Sequence, residues 1–216
     1  MKIYTRKGDG GQTGLLGGHH VSKAADRIEA IGEVDELNSL LGCVIAMRPA
    51  PSLLECLGYV QDDLFHLGAE LASPDPKGAG AARITAEDIE RLEAWIDHYD
   101  QELEPLRNFV LPGGSQVAAW LFQTRAVARR VERAMVRLAC SGEGGDHGAS
   151  QGIDGLPKST TEVIRGALLA YLNRLADLLF VMARWQNRHD RAVETPWFPE
   201  TRGQRAPADR RPPARS

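Results

Sequence analysis

Residues 26–48, DRIEAIGEVDELNSLLGCVIAMR, place Ile28, Ile31, Val34, Leu37, Leu41, Val44 and Ile45 at spacings of three and four, and Pro49 and Pro51 end the run. That period is the apolar stripe of a helix that buries one face. The same period recurs along the chain. Residues 52–72 carry Leu53, Leu57, Val60, Leu64, Leu67 and Leu71. A third helix starts at Thr85, an N-cap residue, with Glu87 and Asp88 in its first turn and Ile89, Leu92, Ile96 and Tyr99 along one line. Pro112-Gly113-Gly114-Ser115 breaks the chain, and Ser115 caps a fourth helix running to about Cys140. Ser159-Thr160-Thr161-Glu162 has the capping-box pattern before a fifth helix to about Asp190, with Leu168, Leu172, Leu175, Leu179 and Met182 facing inward. No strand-like alternation of useful length interrupts the series. The fold class predicted is all-α, a five-helix antiparallel bundle.

Composition agrees with one such unit. The 216 residues are 43% hydrophobic and 25% charged, enough to bury a core without staples. No apolar run approaches bilayer length, and the N-terminus lacks an apolar signal segment, so membrane and secreted classes are set aside. Cys43, Cys56 and Cys140 form no CxxC pair, which fits a reducing cytoplasm. The net charge of −3 is uneven: residues 201–216 hold five arginines against Asp209, so residues 1–200 sum to −7. Nothing else is basic enough for a nucleic-acid binder. The chain divides into a bundle domain over 1–192 and a disordered Pro/Arg-rich tail over 193–216. Residues 141–158 hold six glycines and read as a flexible loop.

Two features depart from a plain bundle. Residues 1–24 are glycine-dense around Lys7-Gly8-Asp9-Gly10-Gly11-Gln12-Thr13-Gly14, with Thr5, Arg6 and Lys23 nearby. The segment lacks both standard phosphate-loop spacings. It is either a loose terminus or an anion cradle, since N–H groups converge on an anion only where side chains leave room. The second feature is Thr124-Arg125-Ala126-Val127-Ala128-Arg129-Arg130-Val131-Glu132-Arg133. Arg125, Arg129 and Arg133 share one stripe, Glu132 lies beside it, and Arg130 sits on a flank. A solvated face with partner carboxylates and a grip on phosphate oxygens both explain it. Asp35, one position past Val34 and near the core-facing stripe, is either a solvent-facing acid at the edge of that stripe or, the preferred reading, a carboxylate paired with an arginine of the fourth helix. Asn173, in Tyr171-Leu172-Asn173-Arg174-Leu175, is either a core amide or a ligand contact.

Taken in order, Ile3 to Gly11 with Lys23, Val34-Asp35-Glu36-Leu37-Asn38, Phe109-Val110-Leu111-Pro112-Gly113-Gly114, Arg125 to Arg133, and Tyr171 to Leu175 resemble the successive motifs of the PduO-type ATP:corrinoid adenosyltransferases. The resemblance runs from about residue 2 to 190. It implies a homotrimer with active sites between subunits, a glycine-rich N-terminal segment that folds over ATP, and transfer of the 5′-deoxyadenosyl group of ATP to the cobalt of cob(I)alamin with release of triphosphate. ATP and cobalamin are then substrates, Mg²⁺ accompanies the nucleotide, and a cob(II)alamin reductase and an adenosylcobalamin-dependent enzyme are partners. The implied nucleotide contacts are Thr5, Arg6, Lys7, Gly8, Thr13, Gly14, Lys23, Arg129, Arg130, Glu132, Arg133 and Asn173. Arg129, Arg133 and Asp35 are the implied catalytic group, with Arg129 pairing Asp35 across the subunit boundary. Phe109 is the implied corrinoid contact that keeps the lower axial ligand away. His20 and Val21 stand where many members carry arginine, and the 141–158 loop is longer than usual. A non-catalytic carrier of ATP or corrinoid is the alternative from a different class, and a plain helical assembly module is a third.

Overall fold

The computed structural model describes residues 2–4, 6–73, 83–141 and 166–199. Five helices dominate them: α1 (Asp26–Ala46), α2 (Pro51–Ala72), α3 (Ala86–Asp100), α4 (Gln116–Ser141) and α5 (Gly166–His189). Adjacent packing runs α2, α1, α4, α5, α3. The five-residue-or-shorter link between α1 and α2 returns the chain beside itself, as bundles require. Each predicted apolar line of α2 and α5 is buried in the shared core, from Leu53 to Leu71 and from Leu168 to Met182. α1 buries Val34, Leu37, Leu41 and Val44, while Ile28, Ile31 and Ile45 lie half-buried at the edge of the stripe.

Helix starts follow local chemistry. Asp88 accepts the Thr85 backbone N–H at 2.8 Å, closing the reciprocal cap of α3. Ser115 Oγ accepts the Ala118 N–H at 3.3 Å and caps α4. The capping box at 159–162, the loop at 142–158, Thr5 and the tail from 200 onward lie outside the described residues.

Three expectations are corrected. Gly166–His189 is long and apolar enough by composition to cross a membrane, although more than half of its apolar stretch is buried in the bundle. Its greasiness comes from being the helix that contacts both α3 and α4. The expected disorder from residue 193 onward does not hold for its first residues, because Thr195–Pro196 forms a short strand, β4, antiparallel to β3 (Val110–Leu111). Residues 12–22 are also less irregular than expected: β1 (Gln12–Gly14) and β2 (His20–Ser22) pair antiparallel around a turn in which Gly17 and Gly18 take φ of +86° and +84°.

That hairpin is docked. Leu16 N–H donates to the Ala72 carbonyl at 2.9 Å, and Arg27 donates to the Leu71 carbonyl at 2.8 Å. Two last-turn carbonyls of α2 are thereby satisfied, groups that a helix end leaves open. A buried polar knot fixes α3 to the bundle. Asp63 of α2 accepts Tyr171 Oη at 2.8 Å and Arg91 Nη2 at 2.8 Å, and burial raises the Tyr171 phenol pKa well above its usual value.

Candidate functional site

Arg129 and Arg133 are exposed on α4, and among the described residues neither has an in-chain carboxylate partner. Arg125, one turn back, is half-buried, with its guanidinium 5.3 Å over the Phe180 ring and its Nε buried without a hydrogen-bond partner. Burial first, then the like charge of Arg129, lowers its pKa, opposed by Asp177. Three cations in one stripe with so little internal compensation form a surface that favours an anion.

Arg130 behaves differently. Its Nε donates to Glu33 at 2.6 Å and its Nη2 to Glu36, so α1 holds it. Asp35 does not take that role. It is exposed, because one residue past buried Val34 turns the side chain about 100° out of the core stripe. Its exposure agrees with the solvent-facing reading and not with the preferred in-chain pair: among the described residues Asp35 pairs with no arginine of its own chain.

The structure brings Glu132 and Asn173 together: Asn173 Nδ2 donates to Glu132 Oε1 at 3.1 Å. Arg174 donates to Asn173 Oδ1 at 2.8 Å and to Glu93 at 2.7 Å, which fixes the direction of the amide. The arginine stripe and the glycine hairpin also share one end of the bundle. Arg130 meets α1 at Glu33, about two turns or ~10 Å from the Asp26 start of α1, where the hairpin joins.

Within the hairpin segment, Lys23 N–H donates to the Gly11 carbonyl at 2.8 Å. A Cβ added to Gly8 would stand 3.1 Å from Lys23 Nζ, so the glycine makes room for the ammonium group. Thr13 and Gly14 lie in β1, with His20 facing Gly14 across the pair. Arg6 takes φ +61° and stacks 5.5 Å over Tyr4. Lys7 sits in the adjoining turn, where Gly11 N–H donates to the Gly8 carbonyl at 3.2 Å.

Phe109 is 78% exposed and far from these groups along α4. Its carbonyl accepts Trp197 N–H at 2.7 Å, and the two rings meet edge to face at 6.3 Å. Trp197, Leu111 and Phe198 extend an exposed apolar surface around it. The sequence reading missed Trp197 because the pairing joins residues separated by 88 positions and lies in a Pro-rich segment. It also missed Asn187, buried at the end of α5, whose Oδ1 accepts Ser115 N–H at 2.9 Å and whose Nδ2 donates to the Gly113 carbonyl at 3.0 Å. Asn187 fixes the Pro112–Ser115 turn between Phe109 and the arginine helix.

A family model described as cobalamin adenosyltransferase matches residues 3–186. The chain is 40% identical over 197 residues to a cobalamin adenosyltransferase of Cupriavidus metallidurans, covering 91% of this chain and 94% of that protein. It is 39% identical over 191 residues to the corrinoid adenosyltransferase PduO of Citrobacter freundii, covering 88% of this chain and 51% of that longer protein, about half its length. Among solved structures, a variant PduO-type ATP:corrinoid adenosyltransferase from Lactobacillus reuteri, complexed with cobalamin and ATP, is similar at TM-score 0.75 and 31% identity, over 91% of this chain and 99% of that one.

Proposed function

The chain belongs to the cobalamin adenosyltransferase family, and on that premise we propose that it transfers the 5′-deoxyadenosyl group of ATP to the cobalt of cob(I)alamin. The Co(I) electron pair attacks the ribose 5′ carbon, the 5′ C–O bond breaks, and triphosphate leaves as the Co–C bond forms. The nucleophile arrives with the substrate, so the protein needs no serine, cysteine or histidine nucleophile. Its work is to hold the 5′ carbon in line and to stabilise charge on the departing triphosphate.

The observation that carries this reading is the uncompensated stripe of Arg125, Arg129 and Arg133 at the bundle end that bears the glycine hairpin. Arg129 and Arg133 grip triphosphate oxygens, with Lys23, Lys7 and Arg6 reaching from the hairpin segment that includes Thr5, Gly8, Thr13 and Gly14. Arg130 joins by exchanging one α1 carboxylate for phosphate. Asn173, aimed by Arg174 and tied to Glu132, offers a fixed amide to the nucleoside.

Phe109 is the apolar wall beneath the corrinoid, excluding the lower axial ligand and water so that Co(II) is easier to reduce. Arg129 lies about 20 Å along α4 from Ser115, near Phe109, which leaves room for a second copy to complete each pocket. Exposed Asp35 and Arg129 supply complementary charges for that contact, in a homotrimer with its sites between subunits. Among the described residues no cluster of three His, Cys, Asp or Glu groups could cage a metal. A magnesium ion would therefore be held mainly by phosphate oxygens and water, as is usual for nucleotide sites. Three free cysteines and a core-buried α5 fit a cytoplasmic enzyme, supplied by a cob(II)alamin reductase and serving an adenosylcobalamin-dependent enzyme.

The test supplies ATP, Mg²⁺ and chemically reduced cobalamin and follows the absorbance change to adenosylcobalamin. Product formation proportional to enzyme is expected, and no product at any enzyme concentration would overturn the assignment.

A further inference from the structure

Phe109 stands almost clear of the bundle, so something outside its own packing has to hold it. The strand pair beside it has only two residue couples, Val110 with Pro196 and Leu111 with Thr195. Two short strands are marginal alone. The group that ties both sides together is Arg184 of α5, which is only 5% exposed. Its Nε donates to Glu194 Oε2 at 3.3 Å, just before β4. Its Nη2 donates to the Glu104 carbonyl at 3.0 Å, on the segment that leads into Phe109 and β3. One buried guanidinium thus fixes the approach to both strands, and a charge this buried stays in place only while it is paired.

We propose that Arg184 and Glu194 are positioning residues for the corrinoid half of the site. Their ion pair sets the register of β3 on β4 and, through it, the Phe109–Trp197 wall that displaces the lower axial ligand. This rests on the reading of Phe109 given above. Neither residue touches the substrate, and both act through the aromatic pair.

The experiment mixes the full chain with ATP and cob(II)alamin and measures the four-coordinate Co(II) fraction by electron paramagnetic resonance. Turnover is measured in parallel from cob(II)alamin with a chemical reductant and from preformed cob(I)alamin. Glu194→Ala and Arg184→Lys should lower the four-coordinate fraction about tenfold or more, the factor one lost charged hydrogen bond is worth. Turnover from cob(II)alamin should fall with it, while the KM for ATP and the rate from cob(I)alamin stay at the parent values. Glu194→Gln, which keeps the acceptor oxygen but not the charge, should fall between the parent and Glu194→Ala. Glu194 lies beyond the end of α5, so its variants keep the bundle. Parent-like spectra in all three variants, with the signal lost in Phe109→Ala, would overturn the clamp and leave the Phe109 reading standing. An unchanged signal in Phe109→Ala would overturn both. Equal losses in both reactions and in ATP affinity would reduce the ion pair to a general fold element and overturn the proposal.

Discussion

Replacing Gly114 by alanine perturbs the turn that joins the Phe109 strand to the arginine helix. Gly114 takes φ +104°, which L side chains rarely adopt, and such strain costs about 1–3 kcal/mol. The added Cβ would also fall directly onto the Asn187 amide, which is buried and cannot withdraw into solvent. Moving that amide breaks its bonds to Ser115 N–H and the Gly113 carbonyl, each worth about 0.5–1.5 kcal/mol net. The expected loss is about 3–5 kcal/mol, a fall of roughly 10 °C in Tm for a chain of this size. Thermal unfolding at fixed protein concentration measures it, because assembly makes Tm depend on concentration. A double-mutant cycle isolates the cause. In an Asn187→Ala background the steric partner is gone, so Gly114→Ala should cost only the backbone strain, and the two changes should be non-additive by about 1–3 kcal/mol. A loss below about 0.5 kcal/mol for Gly114→Ala, or strict additivity in the cycle, would refute the reasoning.

Other substitutions address the chemistry. Arg129→Ala and Arg133→Ala should each lower kcat/KM by about 10- to 150-fold, the worth of a charge-assisted bond of roughly 1.5–3 kcal/mol; parent rates in both would make the stripe a surface feature. Phe109→Ala should slow the reaction from cob(II)alamin more than that from cob(I)alamin, and equal losses would remove its ligand-displacing role. Burial opposes the Asp88 charge, but the Thr85 backbone N–H and Arg91 outweigh it and hold its carboxyl below the usual carboxylate range. A lowered folded pKa adds stability above the unfolded value of about 3.9, and that stability is lost as pH falls through the folded value. Asp88→Asn should therefore flatten the acid limb of a urea-denaturation pH profile below about pH 4, and an unchanged limb would show that another group carries it.

The helices were legible because a period of three and four is written in adjacent residues: the lines of α2 and α5 are buried as read, and Thr85 with Asp88 closes the cap its spacing suggests. What escaped depends on distance along the chain or on the step of one residue around a helix. The β3–β4 pair joins residues more than 80 positions apart, each strand too short to leave an alternating pattern. The hairpin at 12–22 likewise shows only its turn glycines. For Asp35 the sequence leaves a solvent-facing acid and an arginine-paired carboxylate both open; one residue beyond a buried valine is already a quarter turn away, and it is Glu33 and Glu36 that meet Arg130. The arginine stripe itself was plain in the sequence. Its lack of in-chain compensation, which turns a charge pattern into an anion site, emerges only when the neighbours of each guanidinium are known.

A structure of the protein with bound ATP tests the central claim most directly. Phosphorus atoms within salt-bridge reach of Arg129 and Arg133, with the glycine hairpin closed over the same nucleotide and a second copy completing the pocket, are the predicted result. A nucleotide bound elsewhere, with both arginines still facing bulk water, would contradict it.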